Sequence, residues 1–185
     1  MATATAKLLT AEDLLRLNSQ GVKGELIRGV LCEKVSVGEE HGHIAGLLIT
    51  FLNIHIRPRR LGRAGGTDVG VLIQRDPDVV REPDVYYLSA ERLPLDVRVQ
   101  GYLEVTPELV VEIVSPGDTQ QAVNDKTLMW LSHGVLMVVE VYPAERAVMV
   151  HGLGSPAVTL TGGDVLDGGE VLPGFSLPLS EIFDV

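Results

Sequence analysis

The sequence predicts an α/β domain built on a mixed β-sheet, and three observations carry that prediction. A nearly continuous apolar run, Leu109 to Val114, has the character of a central strand covered on both faces. Two long segments carry helical patterning, and they interrupt rather than follow the strand-like segments. The length of 185 residues fits one domain able to bury a sizeable core.

Taken in order, Thr10 followed by Asp13 and the leucines 14, 15 and 17 predicts a capped short helix that ends before Gly21. Residues 25–37 then predict a strand, a turn at Gly29 and a second strand, hence a hairpin. From His41 the stripe Ile44, Leu47, Leu48, Phe51, Leu52 and Ile56 predicts an amphipathic helix closed by Pro58. Gly65-Gly66 opens a segment expected to form a strand over 67–73, and Arg75-Asp-Pro-Asp78 has turn chemistry. A strand is expected over 84–88, and a short helix or loop over 90–93. After the central strand, Asp118 or Thr119 can cap a helix running to about His133 and closed by Gly134. Strands over 135–141 and 147–151 follow, and the Gly-rich tail is expected to form a loop and a short terminal helix. No repeat, low-complexity tract or linker divides the chain, so residues 1–185 read as a single domain.

Composition narrows the function classes. Hydrophobic residues make up 45% of the chain, yet no apolar run reaches the ~20 residues of a membrane span. The first residues lack the basic start and apolar stretch of a secretory signal, so a soluble, cytoplasmic protein is expected. A lone Cys32 excludes an intramolecular disulfide and a multi-cysteine zinc site. The net charge of −10 argues against tight non-specific binding to a phosphate backbone. Arg57, Arg59, Arg60 and Arg63 form a local basic segment, read as a solvated loop after the helix in preference to a phosphate contact.

The chemistry concentrates on three residues. Glu112 lies inside the apolar strand, where an ionised carboxylate needs a basic partner, a proton or a cation. Lys126, fourteen residues on, falls between Ala122 and Trp130 on the side of the following helix expected to face the sheet. Its ammonium can approach Glu112. Asp84 adds a second acid directly after Pro83, at the start of a predicted strand. Two hard carboxylates and an ammonium are what metal-assisted phosphodiester hydrolysis requires, with Mg²⁺ or Mn²⁺ as the ion. The bland alternatives are a buried Glu112–Lys126 ion pair and a turn role for Asp84.

At these residues the chain resembles the Uma2 family, a branch of the PD-(D/E)xK nucleases. The resemblance is carried by Glu25-Leu-Ile-Arg-Gly, Glu40-His41, Arg81-Glu-Pro-Asp84-Val, Leu109-Val-Val-Glu112-Ile-Val-Ser-Pro116, Lys126, His133-Gly-Val and Leu172-Pro-Gly-Phe175. It implies a restriction-endonuclease-like core, a mixed sheet flanked by helices, with an N-terminal helix and β-hairpin. Where other nucleases of this superfamily carry lysine on the acidic strand, position 114 is Val114, and the resemblance implies that Lys126 on the helix takes its place. It further implies that Asp84, Glu112 and the Ile113 backbone carbonyl are metal ligands, and that Lys126 is the water-orienting base or electrostatic stabiliser. Glu25 corresponds to an acidic residue on the first strand that would hold a second metal or a water; a surface strand residue is the equal alternative. His41 corresponds to a histidine at the start of the long helix, bordering the cleft but not a metal ligand. Arg28, Val139 and Tyr142 depart from the pattern. Ser115 and Asp118 are read as shaping the turn. The implied activity is a Mg²⁺- or Mn²⁺-dependent endonuclease hydrolysing DNA with a metal-activated water, with a homodimer or higher homo-oligomer as the expected assembly. The alternative is an inactive nuclease-fold scaffold or partner-binding protein, which the acidic charge favours.

Overall fold

A computed structural model of the chain describes residues 8–34 and 36–184. The chain opens with α1 (Ala11–Ser19), which the Thr10 hydroxyl and Asp13 carboxylate cap reciprocally. The hairpin β1 (Gly24–Ile27) and β2 (Val30–Glu33) follows, its two-residue turn formed by Arg28 and Gly29, both with positive φ (52° and 77°). The second strand stops at Glu33 instead of reaching 37. Then come α2 (Glu39–Arg59), β3 (Gly62–Gly66), β4 (Val71–Gln74), β5 (Val79–Arg81), β6 (Val85–Ser89), β7 (Leu109–Ile113), α3 (Gln120–Ser132) and β8 (Met137–Tyr142). The chain closes with β9 (Ala147–Gly152), β10 (Val158–Thr161), β11 (Val165–Asp167), β12 (Ser176–Pro178) and α4 (Ser180–Phe183).

Six strands form the main sheet in the order β10-β9-β8-β7-β6-β3, with β7 and β8 parallel and the other neighbours antiparallel. The predicted mixed sheet is therefore present. The parallel pair is joined through α3 as a crossover, the connection that parallel strands require. A second sheet, β2-β1-β5-β4, was not expected, because β5 is only three residues long and follows the Arg75–Asp78 turn closely.

Three further expectations are corrected. Pro58 lies within the last turn of α2 and does not end it; Arg60, in the left-handed conformation, does. The strand expected over 67–73 starts at Val71, while the glycine-rich segment before it, where no strand was expected, is β3. Low strand propensity is overridden there by contact: a Cβ on Gly66 would run into the carbonyl oxygen of Asp84, the residue before β6, so only glycine permits this approach. The tail after Gly162 forms the β11–β12 pair before its short helix, where only loop was expected ahead of α4, and β10 precedes it in a stretch given no element.

Strand alternation divides the core. Leu109, Val111 and Ile113 of β7, with Val139 and Val141 of β8, pack with Ile44, Leu48, Leu52 and Ile56 of α2. Val110 and Val138 face the other way and pack with Trp130 of α3. Glu112 and Glu140, paired in register on the parallel strands, share this second face with Val110 and Val138. The acids thus point toward α3. No helix among the described residues is long and apolar enough to cross a membrane.

Candidate active site

Between the two sheets and one side of α3 lies an open cleft of about 1080 Å³. Its floor gathers Asp84, Glu112, Lys126, Glu25 and His41, residues far apart in the chain. Glu112 is buried on β7, and its two oxygens have different partners. Oε2 accepts from Lys126 Nζ at 2.7 Å, and Oε1 accepts from the Trp130 indole Nε1 at 2.7 Å. Lys126 and Trp130 stand one helical turn apart, which brings both donors to one face of α3.

Asp84 stands just before β6, where the backbone pairing of β6 with β7 ends at Val85 and Val111. Its carboxylate continues the ladder: Oδ2 accepts the Ile113 N–H at 2.7 Å, and Oδ1 lies 3.1 Å from His41 Nε2. His41 Nδ1 is 3.4 Å from the Ser115 hydroxyl, and the Ser115 N–H donates to Asp118 Oδ2 at 2.8 Å, closing the turn after β7. Glu25, on β1, is 8% exposed, which rules out a surface strand role. It accepts from Arg81 Nη1 at 2.9 Å and from the Glu82 N–H at 2.8 Å, and lies 3.9 Å from Lys126 Nζ.

Electrostatics separate the two acids. Burial pushes Glu112 up to about 7; Lys126 opposes the shift, and the Asp84 and Glu25 carboxylates add to it. Burial also works to raise Asp84, but the His41 hydrogen bond, the Ile113 N–H and the Lys126 charge outweigh it and hold its carboxyl below the ordinary aspartate range. For Lys126, burial favours the neutral amine, and Glu112 with Glu25 overcomes that, so its ammonium is held above the ordinary lysine value. Lys126 remains a cation at neutral pH.

The rim is neither uniformly basic nor occluded. Lys23 pairs with Asp68 and Lys34 with Glu82; Asp118 and Asp125 also line the cleft, and Arg28 of the hairpin turn has no side-chain partner among the described residues. The sequence reading brought the five floor residues together but missed Arg81 and Glu140. Arg81 lies on the unpredicted β5, and Glu140 was absorbed into an apolar strand. Trp130 was visible four residues beyond Lys126 as part of the same stripe, without its partner.

Comparison with known proteins finds the same architecture. A crystal structure of a protein from Anabaena variabilis, described as a putative nuclease belonging to DUF820, superposes with a TM-score of 0.81 at 21% identity, over 95% of this chain and 98% of that one. At that identity the likeness establishes the fold. No curated protein matches the sequence. The family model of Uma2, described as "Putative restriction endonuclease", matches residues 11–180, from the start of α1 to the start of α4. With that match spanning both sheets and every residue of the cleft floor, the chain belongs to the Uma2 family.

Proposed function

We propose that this protein is a divalent-metal-dependent nuclease that hydrolyses DNA phosphodiester bonds at the floor of the cleft. The observation that carries the reading is the approach of Asp84 and Glu112 to one end of β7, with the Lys126 ammonium 2.7 Å from Glu112. Asp84, Glu112 and the Ile113 carbonyl are the proposed ligands. The donor set fits a hard cation. Each of the four carboxylate oxygens has one protein partner, which leaves a lone pair on each. Among the described residues no cluster of three or more His, Cys, Asp or Glu side chains is arranged to hold an ion. Mg²⁺ and Mn²⁺ suit such a sparse site, since Mg²⁺ commonly takes one or two carboxylates and keeps several waters. When bound, the ion supplies Lewis-acid stabilisation of the phosphate and lowers the pKa of water.

The chain's own groups do the rest. In the metal-free protein the neighbouring carboxylates favour the ammonium form of Lys126, which suits an orienting and electrostatic group. Its ammonium stands where it can hold the attacking water and offset charge on the phosphate. Glu25 braces Lys126 from the other side, and the His41 contact fixes the Asp84 carboxylate. A second reading, a partner-binding scaffold without catalysis, is favoured by the acids on the rim and the net charge of −10.

Calorimetric titration of Mn²⁺ into metal-free wild type and Glu112→Gln separates the two. Saturable uptake lost in the variant, followed by Mn²⁺-dependent DNA cleavage that Lys126→Met abolishes, is the expected outcome. A folded wild type without uptake would leave Asp84, Glu112 and Lys126 as a structural charge cluster and overturn the nuclease reading.

A further inference from the structure

Beside Glu112, at the same register on the neighbouring parallel strand, lies a second carboxylate that takes no part in the cleft. Glu140 is 0% exposed and does not line the cavity. An isolated buried carboxylate is strongly disfavoured, and its neighbours are specific. Thr127 Oγ1 donates to Oε1 at 2.6 Å, the Tyr142 hydroxyl donates to Oε2 at 2.6 Å, and His151 Nε2 stands 3.1 Å from Oε1.

The Thr127 contact matters because of how α3 is seated. Thr127 and Trp130 are the buried residues of this helix, and each ends on a carboxylate of the sheet. The apolar hold on α3 is confined to its last turn, where Trp130 enters the core with Met129 and Leu131 packed beside it. Lys126 and Trp130 attach it to Glu112 on β7, and Thr127 attaches it to Glu140 on β8. Neighbouring strands are about 4.8 Å apart, so the two attachments lie across the width of the helix. One attachment line would leave α3 free to roll about its axis; two fix the roll. At the radius of a helix with its side chains, a roll of roughly 20° moves a side-chain tip about 2 Å, enough to break a 2.7 Å contact such as that of Lys126 with Glu112.

We infer that Glu140 is a positioning residue: through the Thr127 hydroxyl it sets the rotation of α3 and so aims Lys126 and Trp130 at Glu112. Its importance for catalysis rests on the nuclease reading, but the positioning itself does not.

The test uses the single tryptophan of the chain. The Trp130 indole N–H gives one signal in a nitrogen–proton correlation spectrum, and both its position and its exchange with water report the bond to Glu112. Thr127→Val and Thr127→Ala in the full chain are expected to move this signal and to speed its exchange about tenfold or more, the loss of roughly one hydrogen bond to a charged group. Thr127→Ser, which keeps the hydroxyl, is expected to preserve both. Should the valine variant fail to fold, alanine decides, because it is the best helix former. A folded variant whose unfolding midpoint drops while the indole signal and its exchange stay native would reduce Glu140 to a structural residue and overturn the inference. Mn²⁺ titration of the wild type is scored separately, so absence of uptake with a displaced indole signal in the variants would sink the nuclease reading alone.

Discussion

Replacing Trp130 by Phe keeps an aromatic ring in the core but removes the N–H that donates to Glu112 Oε1 at 2.7 Å. The carboxylate would then rely on Lys126 alone among the side-chain donors seen on it. A hydrogen bond to a charged group contributes about 1.5–3 kcal/mol, and one pKa unit corresponds to about 1.4 kcal/mol, so loss of the bond raises the acid by roughly one to two units. Part of the bond survives in the protonated acid, which favours the lower end of that range. Glu112, already near 7 in the wild type, should therefore titrate near 8. Carbon-labelled glutamate allows its carboxyl resonance to be followed by NMR in the metal-free protein from pH 5 to 10, with Glu112→Gln identifying the signal. Stability will also fall, because Trp130 is fully buried and Phe leaves a void; the titration midpoint separates the lost bond from the lost volume. A folded Phe variant with an unchanged or lower midpoint would refute the reasoning.

The raised Glu112 also predicts how metal uptake depends on pH. The ligand must be ionised, so Mn²⁺ affinity should fall about tenfold per pH unit below 7 and flatten above it; calorimetry in buffers of different ionisation enthalpy should show proton release at pH 6, and a flat affinity between pH 5.5 and 7 would contradict it. Asp84 has the opposite sign. Its folded value is depressed, so its contribution to metal-free stability is present above the unfolded aspartate range and is lost as pH falls through the folded value. Asp84→Asn should accordingly flatten the acid limb of stability measured by urea unfolding, and an unchanged limb would assign that limb to other groups. Gly66→Ala drives a Cβ into the Asp84 carbonyl oxygen, separating β3 from β6; a loss of roughly 3 kcal/mol is expected together with weakened Mn²⁺ uptake, and native values for both would show that the strands yield freely. Thr10→Ala removes the cap of α1 and should cost about 1 kcal/mol in urea unfolding while leaving Mn²⁺ uptake untouched; a change in uptake would tie α1 to the cleft.

What could be read from the sequence divides along physical lines. Glu112 stood out because a carboxylate in an apolar strand is costly, and the same stripe that turned Lys126 inward also carried Trp130, so the β7–α3 half of the floor was legible from local pattern. Glu140 obeys the same rule but was missed, since a single acid in Val135–Val141 did not disturb an apolar segment that already read as a strand. The second sheet escaped because its β5 has only three residues, and the β3 edge of the main sheet escaped because it is glycine-rich, so neither had enough side chains to show an alternation. Their existence depends on partners distant in sequence, β1 with β5 and β3 with β6. The pairing of His41 with Asp84 was likewise beyond local inference, although each residue was a candidate by itself.

The chain passes directly from one sheet to the other at two short crossings, residues 67–70 between β3 and β4 and residues 82–84 between β5 and β6. Thr67 and Asp68 of the first and Asp84 of the second all line the cleft. The cavity is thus the seam between two sheets stitched together by three- and four-residue tethers. Tethers this short limit how far the two sheets can separate along that seam. A lengthened tether would widen the seam while leaving every acid of the floor in the chain.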